Sequence, residues 1–495
     1  MAAKKVVKKK VASKSDSPFN NKGTRLHDIP PSTDHLTFMS QGWAPSPLEG
    51  VQPIAHLSII ENRRRTLSLR YPNKRIVFPA GAQKVRSNDT YYKFRAHTEF
   101  TYYTGISAKD VNPDSVLILE PNGSSHDALL FVHPRSSRES DEFYRNAKYG
   151  EFWIGRRLTL EETETIYGLK VIAIEKLEQF LSKSIDTLFI KGESEIVDAN
   201  SKMGEEVEKE FTTYLSEIRL IKDSYEISET KKAVAATVRG FEDMVKVFDR
   251  ATQIQRGERL IEGAFYTRAR TDGNDLGYET IAASGSHACI LHWIKNDGDV
   301  LNGDLILIDA GVEVESLYTA DVTRCFPING KFSKEQREIY ELVYEAQRAG
   351  IAAVKPGAKF KDITTVSHKV LAEGLEKLGV LPIPADESMK PEVGLHRRWT
   401  VHGVSHMLGL DVHDCDGSRS ENYRDGELKA GMILTVEPGL YVHPDDEMFP
   451  AKYRGIGVRI EDDVLVTENG CEVLSSGLPT QIDEVEAWMA KVKKA

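Results

Sequence analysis

The stretch Asp304–Pro327, DLILIDAGVEVESLYTADVTRCFP, decides how the second half of this 495-residue chain folds. Asp309 closes the apolar run LILI, and Asp321 stands twelve positions later, where a second β-type run begins. Two strands joined by a turn through Glu313–Leu317 would bring the two carboxylates side by side. Each aspartate alone could be an ordinary turn residue, but a carboxylate at the end of a buried strand is unfavourable unless a positive charge compensates it. The pair therefore predicts a cation-binding site.

A Gly-rich stretch further along, HGVSHMLGLDVHD, holds three imidazoles within twelve residues, those of His402, His406 and His413. A zinc-binding HExxH helix would need a glutamate in the second position, where this chain has Gly403. Gly403 and Gly409 also disfavour a rigid helix, so we expect a loop or a strand edge. One histidine here is most simply a structural hydrogen-bonding residue, whereas three in one short segment favour a functional site.

Two glutamates complete the set of possible metal ligands. Glu437 ends a β-type run that Pro438 and Gly439 halt, and Glu461 lies in GVRIEDD, where strand alternation places Arg459 on the same face. Arg459 could orient a ligand carboxylate, or the two residues could form an exposed ion pair of little energetic weight. Four carboxylates and one imidazole can neutralise two divalent cations, which would activate a water held between them. Such a donor set suits Mn²⁺, Fe²⁺, Co²⁺ or Zn²⁺, and the dispersed ligands argue against calcium.

The composition is that of a globular protein with more than one domain. At 495 residues the chain is too long for one ordinary core, so we expect two domains and tails. Its 65 basic and 75 acidic residues give a net charge of −10, which argues against nucleic acid as a partner. The four scattered cysteines form no CxxC pair and indicate a reducing, cytoplasmic environment. No apolar run approaches the roughly 20 residues of a membrane span, so we expect no membrane partner.

Changes of composition divide the chain into three regions. Residues 1–50 are rich in Lys, Ser and Pro and predict a basic, disordered tail and linker. Residues 51–215 alternate short apolar runs, such as RIVFPAGA and SVLILEP, with helical segments, which is typical of an α/β domain. Residues 216–495 add to their β-runs a long helix from 224 to about 255 and another after a capping box at Ser333. Long helices on one face of a mostly antiparallel sheet, an α+β architecture, are therefore expected there.

Taken in order, the motifs of the chain resemble the aminopeptidase P family, within the prolidase and methionine-aminopeptidase group of pita-bread metallopeptidases. They are FRAHTEFTYYTGI, EFWIGRR, IRLIKDSYEI, YETIAASGSHACILHW, LILIDAG, ADVTRCFPINGKF, HGVSHMLGLDVHD, LTVEPGLYV and YRGIGVRIEDD. The resemblance begins near residue 50 and implies a pita-bread catalytic domain, a curved and mostly antiparallel sheet covered by helices, after an α/β N-terminal domain. Two features depart from it. The Asp309–Asp321 interval is one residue longer than usual in bacterial members, which a bulge could absorb, and Ser286 and His287 stand where acidic and amide residues are more usual.

The resemblance implies a dinuclear metal site. Its ligands would be the residues already singled out by their chemistry: Asp309, Asp321, His406, Glu437 and Glu461. Asp321 and Glu461 would bridge both ions, and Asp309 would bind one of them. The two divalent ions would be Mn²⁺ in the usual case, with Co²⁺, Zn²⁺ and Fe²⁺ as alternatives.

The resemblance also implies roles in catalysis. Glu437 would take the proton from the bridging water and relay it to the leaving amine. The imidazoles of His292, His402 and His413 would steady the scissile carbonyl from the substrate side. Two further residues would support the metal ligands, namely Arg459 and Tyr441.

The function implied is that of a metal-dependent Xaa-Pro aminopeptidase, which releases the N-terminal residue from peptides with proline second through a hydroxide bridging two metal ions. A prolidase that cuts only Xaa-Pro dipeptides is the alternative. A non-catalytic pita-bread binding protein, or a metal-free creatine-type amidinohydrolase, would have lost part of the ligand set. Because members of the family often assemble through their N-terminal domains, we expect a homodimer or homotetramer.

Overall fold

The computed structural model describes residues 31–494, so the predicted basic arm at residues 1–30 lies outside the described part of the chain. The rest of the expected linker contains a helix, α1, at Thr33–Met39. The Trp43 ring then packs edge-on against Phe143, at a centroid distance of 5.2 Å. This part of the linker is therefore in contact with the N-terminal domain, which its Lys-, Ser- and Pro-rich composition did not predict.

The N-terminal domain is built on one five-stranded mixed sheet. The elements of the domain are α2 Leu57–Arg70, β1 Arg75–Pro79, β2 Val85–Ser87, β3 Thr90–Tyr91, α3 Thr98–Thr104, β4 Val116–Asn122, β5 Ser125–Val132, α4 Glu142–Arg145, α5 Glu151–Ile154, α6 Leu160–Tyr167, β6 Lys170–Ala173, α7 Leu177–Leu181, β7 Thr187–Phe189, α8 Glu195–Asn200 and α9 Glu205–Ile218. The strand order is β6-β5-β4-β1-β7. Strand β4 runs antiparallel to β1 and β5, and the outer strands β6 and β7 run parallel to their neighbours.

Alternating side chains of the central strands fill both faces of this sheet. Ile76 and Phe78 belong to one apolar cluster, and Val77 and Ile118 belong to another on the opposite face. Every residue of β1 is buried. A strand covered on both sides needs an uninterrupted apolar run, and this explains why RIVFPAGA was recognisable from the sequence.

The C-terminal half carries the antiparallel strands and the long helices. Its elements are α10 Ser224–Lys246, α11 Phe248–Ala251, α12 Gly257–Asp272, β8 Asp275–Leu276, β9 Ile281–Ser284, β10 Leu305–Ala310, β11 Val312–Glu313, β12 Val322–Pro327, α13 Lys334–Ala353, α14 Phe360–Lys377, α15 Ala385–Ser388, β13 Ile433–Val436, β14 Gly439–Tyr441, β15 Gly457–Arg459, β16 Asp462–Thr467, β17 Gly470–Val473 and α16 Ile482–Val492. Its strands form β12-β10-β9, β13-β16-β17, β14-β15 and β11-β8, and each of these pairings is antiparallel. The predicted fold class is thereby confirmed. No helix between residues 31 and 494 combines a bilayer-spanning length with an apolar composition.

The helices of this half begin and pack as the sequence indicates, with one difference. The Ser333 capping box is present at the start of α13. The helix expected from 224 to about 255 is shorter, because α10 ends at Lys246 and only the single turn of α11 follows. Helices α10 and α12 approach so closely that a Cβ on Gly240 would lie 2.5 Å from the Phe265 ring. A glycine is therefore required at this crossing.

The β10–β12 hairpin keeps one register from its strands to its tip. Ala310 pairs with Val322, and further out Glu313 pairs with Thr319 in the same register. The turn lies where the sequence predicts it, and Leu317 adopts the left-handed conformation there with φ of 67°. The twelve-residue interval between the two aspartates is therefore accommodated at the tip of the hairpin, without the bulge that the sequence suggested.

Buried ion pairs join the N-terminal domain to residues 402–414, which we call the histidine segment. The Arg219 guanidinium contacts the Glu99 carboxylate on α3 and lies 3.3 Å from Asp414 at the end of the histidine segment. The buried Lys222 ammonium donates to the second oxygen of Asp414 at 2.6 Å. Because breaking a buried ion pair is costly, this network holds the Asp414 end of the histidine segment in place.

A second set of contacts reaches the same segment from the loop before α3. Arg95 donates to the Leu410 carbonyl at 2.5 Å and to the Glu313 carboxylate at 2.6 Å. The Thr98 hydroxyl donates to Asp411 at 2.6 Å. The N-terminal domain therefore holds both the histidine segment and the tip of the β10–β12 hairpin.

Candidate metal centre

The five predicted ligands lie at strand ends that converge on one point. Asp309 is the penultimate residue of β10, Asp321 directly precedes β12, and Glu437 directly follows β13. Glu461 lies between β15 and β16. His406 belongs to the histidine segment, which is hydrogen-bonded along β13. Its position beside a strand agrees with the glycine content of the segment, which argued against a ligand helix.

The structure brings the side chains of these residues together. Ligand atoms of Asp321, His406 and Glu461 all lie within 4.8 Å of one another, a spacing that could hold a metal ion. His406 Nε2 is 3.3 Å from Asp321 Oδ2 and 3.6 Å from Glu437 Oε1. Four of the five predicted ligands are therefore linked by direct contacts or by this common spacing.

Tyr278, which the sequence did not assign to the site, connects the remaining ligand to the others. Its hydroxyl oxygen lies 2.6 Å from Asp309 Oδ1 and 2.6 Å from Asp321 Oδ1. Burial and the two aspartates raise the pKa of Tyr278 well above its usual value, so the phenol stays neutral. One hydroxyl proton cannot serve both carboxylates at once, so the second short contact requires another proton or a cation.

Arg459 is a buried support of the cluster. Its guanidinium donates to Asp309 Oδ2 at 2.5 Å, to the Tyr441 hydroxyl at 2.9 Å and to Thr323 Oγ1 at 3.2 Å. Arg459 is 3% exposed and Glu461 is 1% exposed. The alternative of an exposed Arg459–Glu461 pair is therefore wrong, since neither side chain faces solvent.

Two more polar residues that the sequence did not single out hold the ligands. Thr323 Oγ1 donates to Glu461 Oε2 at 2.7 Å, and the Asp321 amide donates to Asp463 Oδ2 at 3.1 Å. Asp463 is fully buried, and its Oδ1 has no hydrogen-bond partner among the described residues. Burial and the charge of Asp321 raise the pKa of Asp463 well above its usual value. Strand alternation could have indicated Thr323, which lies two residues after Asp321.

His402 lies between two other residues of the site. Its Nε2 is 2.8 Å from the Tyr441 hydroxyl, and its Nδ1 is 3.7 Å from Glu437 Oε2. Burial, with a smaller effect of the positive charge of Arg459, lowers the pKa of His402 to about 4. The imidazole is therefore neutral near pH 7, with one nitrogen that donates and one that accepts, and the Gly403 carbonyl 2.8 Å from Nδ1 places the N–H on that nitrogen.

The two other predicted histidines are near the same place. The rings of His413 and His406 meet edge to face with centroids 4.4 Å apart. Burial and the charge of His406 lower the pKa of His413. His292 is exposed, and a positive charge on it would lower the pKa of both His402 and His413. His292 therefore lies within electrostatic range of both other imidazoles.

The carboxylates of the cluster are not fully compensated by the protein. Burial raises the pKa of Glu437 to about 7, since the opposing charge of His406 offsets it only in part. Burial and the neighbouring carboxylates raise the pKa of Glu461 well above its usual value. Burial also raises the pKa of Asp309 despite its arginine partner. Although burial alone lowers the pKa of His406, its carboxylate neighbours raise it to about 9.

These features fit a pair of divalent cations. Four carboxylates face two protein cations, Arg459 and His406, so about two negative charges are left over in a largely buried region. Metal ions would neutralise them and would satisfy the short contacts that the Tyr278 proton cannot serve alone. The donors are carboxylate oxygens and one imidazole, with no thiolate among the five ligands, a set typical of Mn²⁺, Fe²⁺, Co²⁺ or Zn²⁺.

Comparison with protein families matches both halves of the chain. Residues 228–468 match metallopeptidase family M24, and residues 60–188 match the aminopeptidase P N-terminal domain. The first segment contains all five predicted ligands.

Similar proteins are known from several organisms. The chain is 50% identical to Xaa-Pro aminopeptidase 1 of Streptomyces coelicolor over 458 residues, which cover 92% of this chain and 91% of that protein. It is 33% identical to the Escherichia coli Xaa-Pro aminopeptidase, over 86% of this chain and 95% of that one. It is 31% identical to human Xaa-Pro aminopeptidase 3, over 81% of this chain and 78% of the human protein.

Solved structures show the same fold over most of this chain. Escherichia coli aminopeptidase P with the inhibitor Pro-Leu superimposes with a TM-score of 0.77 at 31% identity, covering 90% of this chain and 100% of that one. Proline aminopeptidase P II from Yersinia pestis gives a TM-score of 0.75 at 30% identity, covering 88% of this chain and 99% of that one.

Proposed function

This chain belongs to metallopeptidase family M24, and from that premise we propose that its five clustered ligands hold two divalent metal ions in the active site of a Xaa-Pro aminopeptidase. The enzyme hydrolyses the bond after the N-terminal residue of peptides that have proline in the second position. The observation that carries the metal site is the convergence of Asp321, His406 and Glu461, whose ligand atoms lie within 4.8 Å of one another.

Two metal ions at this site would lower the pKa of a shared water and polarise the substrate carbonyl. Asp309, Asp321, His406, Glu437 and Glu461 would bind them. We propose Mn²⁺ as the native metal, because hard carboxylate oxygens dominate the donor set. A zinc-substituted Escherichia coli aminopeptidase P has been solved with product, so replacement by another divalent ion is a reasonable test.

Glu437 is the proposed proton carrier. A carboxylate beside the shared water can accept its proton and give it up again to a leaving amine. His402 Nδ1 lies 3.7 Å from its Oε2, on the side away from His406. The leaving nitrogen of an Xaa-Pro bond needs this proton, since a free secondary amine forms there.

The three nearby imidazoles are proposed to act on the substrate. His402 and His413 lie beside the cluster, where burial keeps both neutral, and His292 is close enough to influence the pKa of each of them. His402 Nδ1 lies 2.8 Å from the Gly403 carbonyl and Nε2 lies 2.8 Å from the Tyr441 hydroxyl, so the ring would have to leave one of these partners to present an N–H to the oxygen on which negative charge develops. Arg459 holds the Asp309 carboxylate of the ligand cluster in place through a hydrogen bond.

Proline after the scissile bond makes its nitrogen a tertiary amide without an N–H. Peptidases that hold that N–H by a backbone bond cannot position such a substrate. The proposed arrangement relies instead on the carbonyl and on the proton supplied to the leaving nitrogen, so it has no need of the missing donor.

The experiment that tests this function compares a longer peptide with a dipeptide. Purified enzyme with Mn²⁺ should release arginine from Arg-Pro-Pro-Gly-Phe, as followed by HPLC, and this release should stop after removal of the metal by a chelator. Activity confined to Ala-Pro would favour a prolidase. No activity together with less than one metal ion per chain would favour a binding protein of the same fold. The Glu461→Gln variant is the control for specific metal uptake, since it keeps the side-chain shape and removes a ligand charge.

The cellular setting and assembly are also proposals. We propose a cytoplasmic enzyme, because all four cysteines lie within the described part of the chain and are free thiols. We propose a homodimer or homotetramer, in keeping with the behaviour of the family. Light scattering on the purified protein would decide the assembly, and a monomeric mass would contradict it.

A further inference from the structure

Glu258 is a fully buried carboxylate near the start of α12 that no part of the proposed mechanism uses. Its Oε1 accepts hydrogen bonds from the Ser284 amide and from His287 Nδ1, each at 2.8 Å. Its Oε2 accepts them from Trp293 Nε1 at 2.8 Å and from the Gly298 amide at 2.7 Å. One carboxylate thus collects four donors from a single stretch of chain between β9 and β10.

The two side chains bound to Glu258 also contact each other. The rings of His287 and Trp293 stack with centroids 3.9 Å apart and an interplanar angle of 24°. Since a carboxylate only accepts, His287 Nδ1 carries a proton in this arrangement. The fit is tight, because a Cβ on Gly298 would lie 2.5 Å from the His287 ring. We call Glu258, His287 and Trp293 the Glu258 clamp.

The clamp lies on both sides of His292. His287 is five residues before it, and Trp293 is the residue directly after it. Between them Ile290 and His292 are exposed, whereas Ala288 and Cys289 are buried and Cys289 Sγ lies 3.2 Å from the Val442 carbonyl, so the clamp and this contact together fix the loop. Further along, the buried Asn296 side chain anchors the loop to β9. Its Oδ1 accepts from the Ala282 amide of β9, and its Nδ2 donates to the Thr280 carbonyl just before that strand.

We propose that the Glu258 clamp is a positioning device that sets the His292 imidazole beside the metal centre. The proposal rests on the function proposed above, in which His292 contacts the substrate. The sequence had marked His287 as a departure from the residues usual at this place, and the structure gives it a partner. Four donors on one buried carboxylate make a stiff anchor, because each bond to a charged group is strong and each loss leaves charge uncompensated.

Two variants of His287 separate the hydrogen bond from the stacking. His287→Ala removes both contacts, whereas His287→Asn keeps an amide N–H about where Nδ1 lies and loses the stacking ring. With Mn²⁺-loaded enzyme and Arg-Pro-Pro-Gly-Phe, we expect His287→Ala to lower kcat by about tenfold, because small displacements of a catalytic group have effects of this order. We expect His287→Asn to restore most of that loss. KM and metal content should stay close to wild type in both.

The N-terminal domain offers a matched control. His133 bonds to the Glu142 carboxylate at 3.1 Å and stacks on the Tyr149 ring with centroids 3.9 Å apart. His133→Ala therefore removes the same two kinds of contact elsewhere in the chain. We expect a comparable change in the thermal unfolding midpoint and an unchanged kcat. If His133→Ala lowers kcat as much as His287→Ala does, the effect is one of stability and the clamp proposal is overturned.

A double variant distinguishes failure of the clamp from failure of the proposed function. If the clamp acts through His292, then His292→Ala and the double variant with His287→Ala should have equal kcat, since the second change has nothing left to position. If the two losses multiply, the clamp proposal fails while the role of His292 stands. If His292→Ala alone keeps the wild-type kcat, the substrate-side role of His292 in the proposed function is wrong, and the clamp loses its purpose.

Discussion

Metal binding should release protons from the site, because a metal must displace those held by its ligands, and for His406 and Glu437 the number can be worked out. His406 has its pKa raised to about 9 and Glu437 has its pKa raised to about 7, whereas a metal binds the neutral imidazole and the ionised carboxylate. Both shifts are upward, so both groups are more protonated near neutral pH than they would be in an unfolded chain. Metal affinity should therefore rise as the pH rises.

The size of the effect follows from the two pKa values. At pH 7 His406 is almost fully protonated and Glu437 is half protonated, which gives about 1.5 protons released per chain. At pH 9 His406 is half protonated and Glu437 is ionised, which leaves about 0.5. Competition by the His406 proton alone should weaken metal binding about 100-fold at pH 7 and about twofold at pH 9, so affinity should rise about 50-fold between them.

Titration calorimetry measures this release directly. Mn²⁺ is titrated into metal-free enzyme at pH 7, 8 and 9, in pairs of buffers with different ionisation enthalpies, and the difference in heat gives the number of protons. His406→Asn is the control, since it should lower the release at pH 7 by about one proton. A release at pH 7 below about half a proton, or one that does not decline towards pH 9, would refute the electrostatic account of the site.

Further variants test individual contacts. Glu437→Gln should lower kcat by about 100-fold or more without unfolding the protein, as seen in the thermal midpoint, because it loses the proton acceptor. Tyr278→Phe should weaken Mn²⁺ binding by about tenfold in the same calorimetric assay, since the hydroxyl no longer holds Asp309 and Asp321; unchanged affinity would contradict that role. Arg219→Met should lower the free energy of unfolding by about 3–5 kcal/mol, because it removes the guanidinium shared by two buried carboxylates and leaves Asp414 with Lys222 and Glu99 with His97 as their remaining partners; a change under about 1 kcal/mol would show that the network contributes little.

Local sequence patterns predicted an element well where all residues of a strand are buried or where a capping box marks the start of a helix. The apolar run at β1 and the capping box at Ser333 are both of this kind. The long helix after residue 224 was overextended, because its composition stays helix-favouring past Lys246 while the chain turns towards α12. The hairpin was predicted, but its register was not, since a tip with one residue in the left-handed region has no strong sequence signal.

The sequence predicted the five candidate ligands and two of their supports, Arg459 and Tyr441, but it did not indicate Tyr278, Thr323 or Asp463. The five ligands stand in short motifs whose chemistry is visible one stretch at a time. The contacts of Tyr278, by contrast, are with residues 31 and 43 positions away, and those of Asp463 reach 142 positions back to Asp321. No periodicity or spacing within one segment can indicate such pairs, because they arise only when separate strands meet.

The contacts of Arg95, Thr98 and Glu99 with the far half of the molecule mean that the chain cannot be shortened at its apparent domain boundary without cost. A fragment starting near residue 216 would lack Glu99 and Arg95, which form ion pairs with Arg219 and Glu313 respectively. The histidine segment would lose its hydrogen bonds from Arg95 and Thr98. Engineering a smaller catalyst from this scaffold would thus require redesigning the contacts between the two halves.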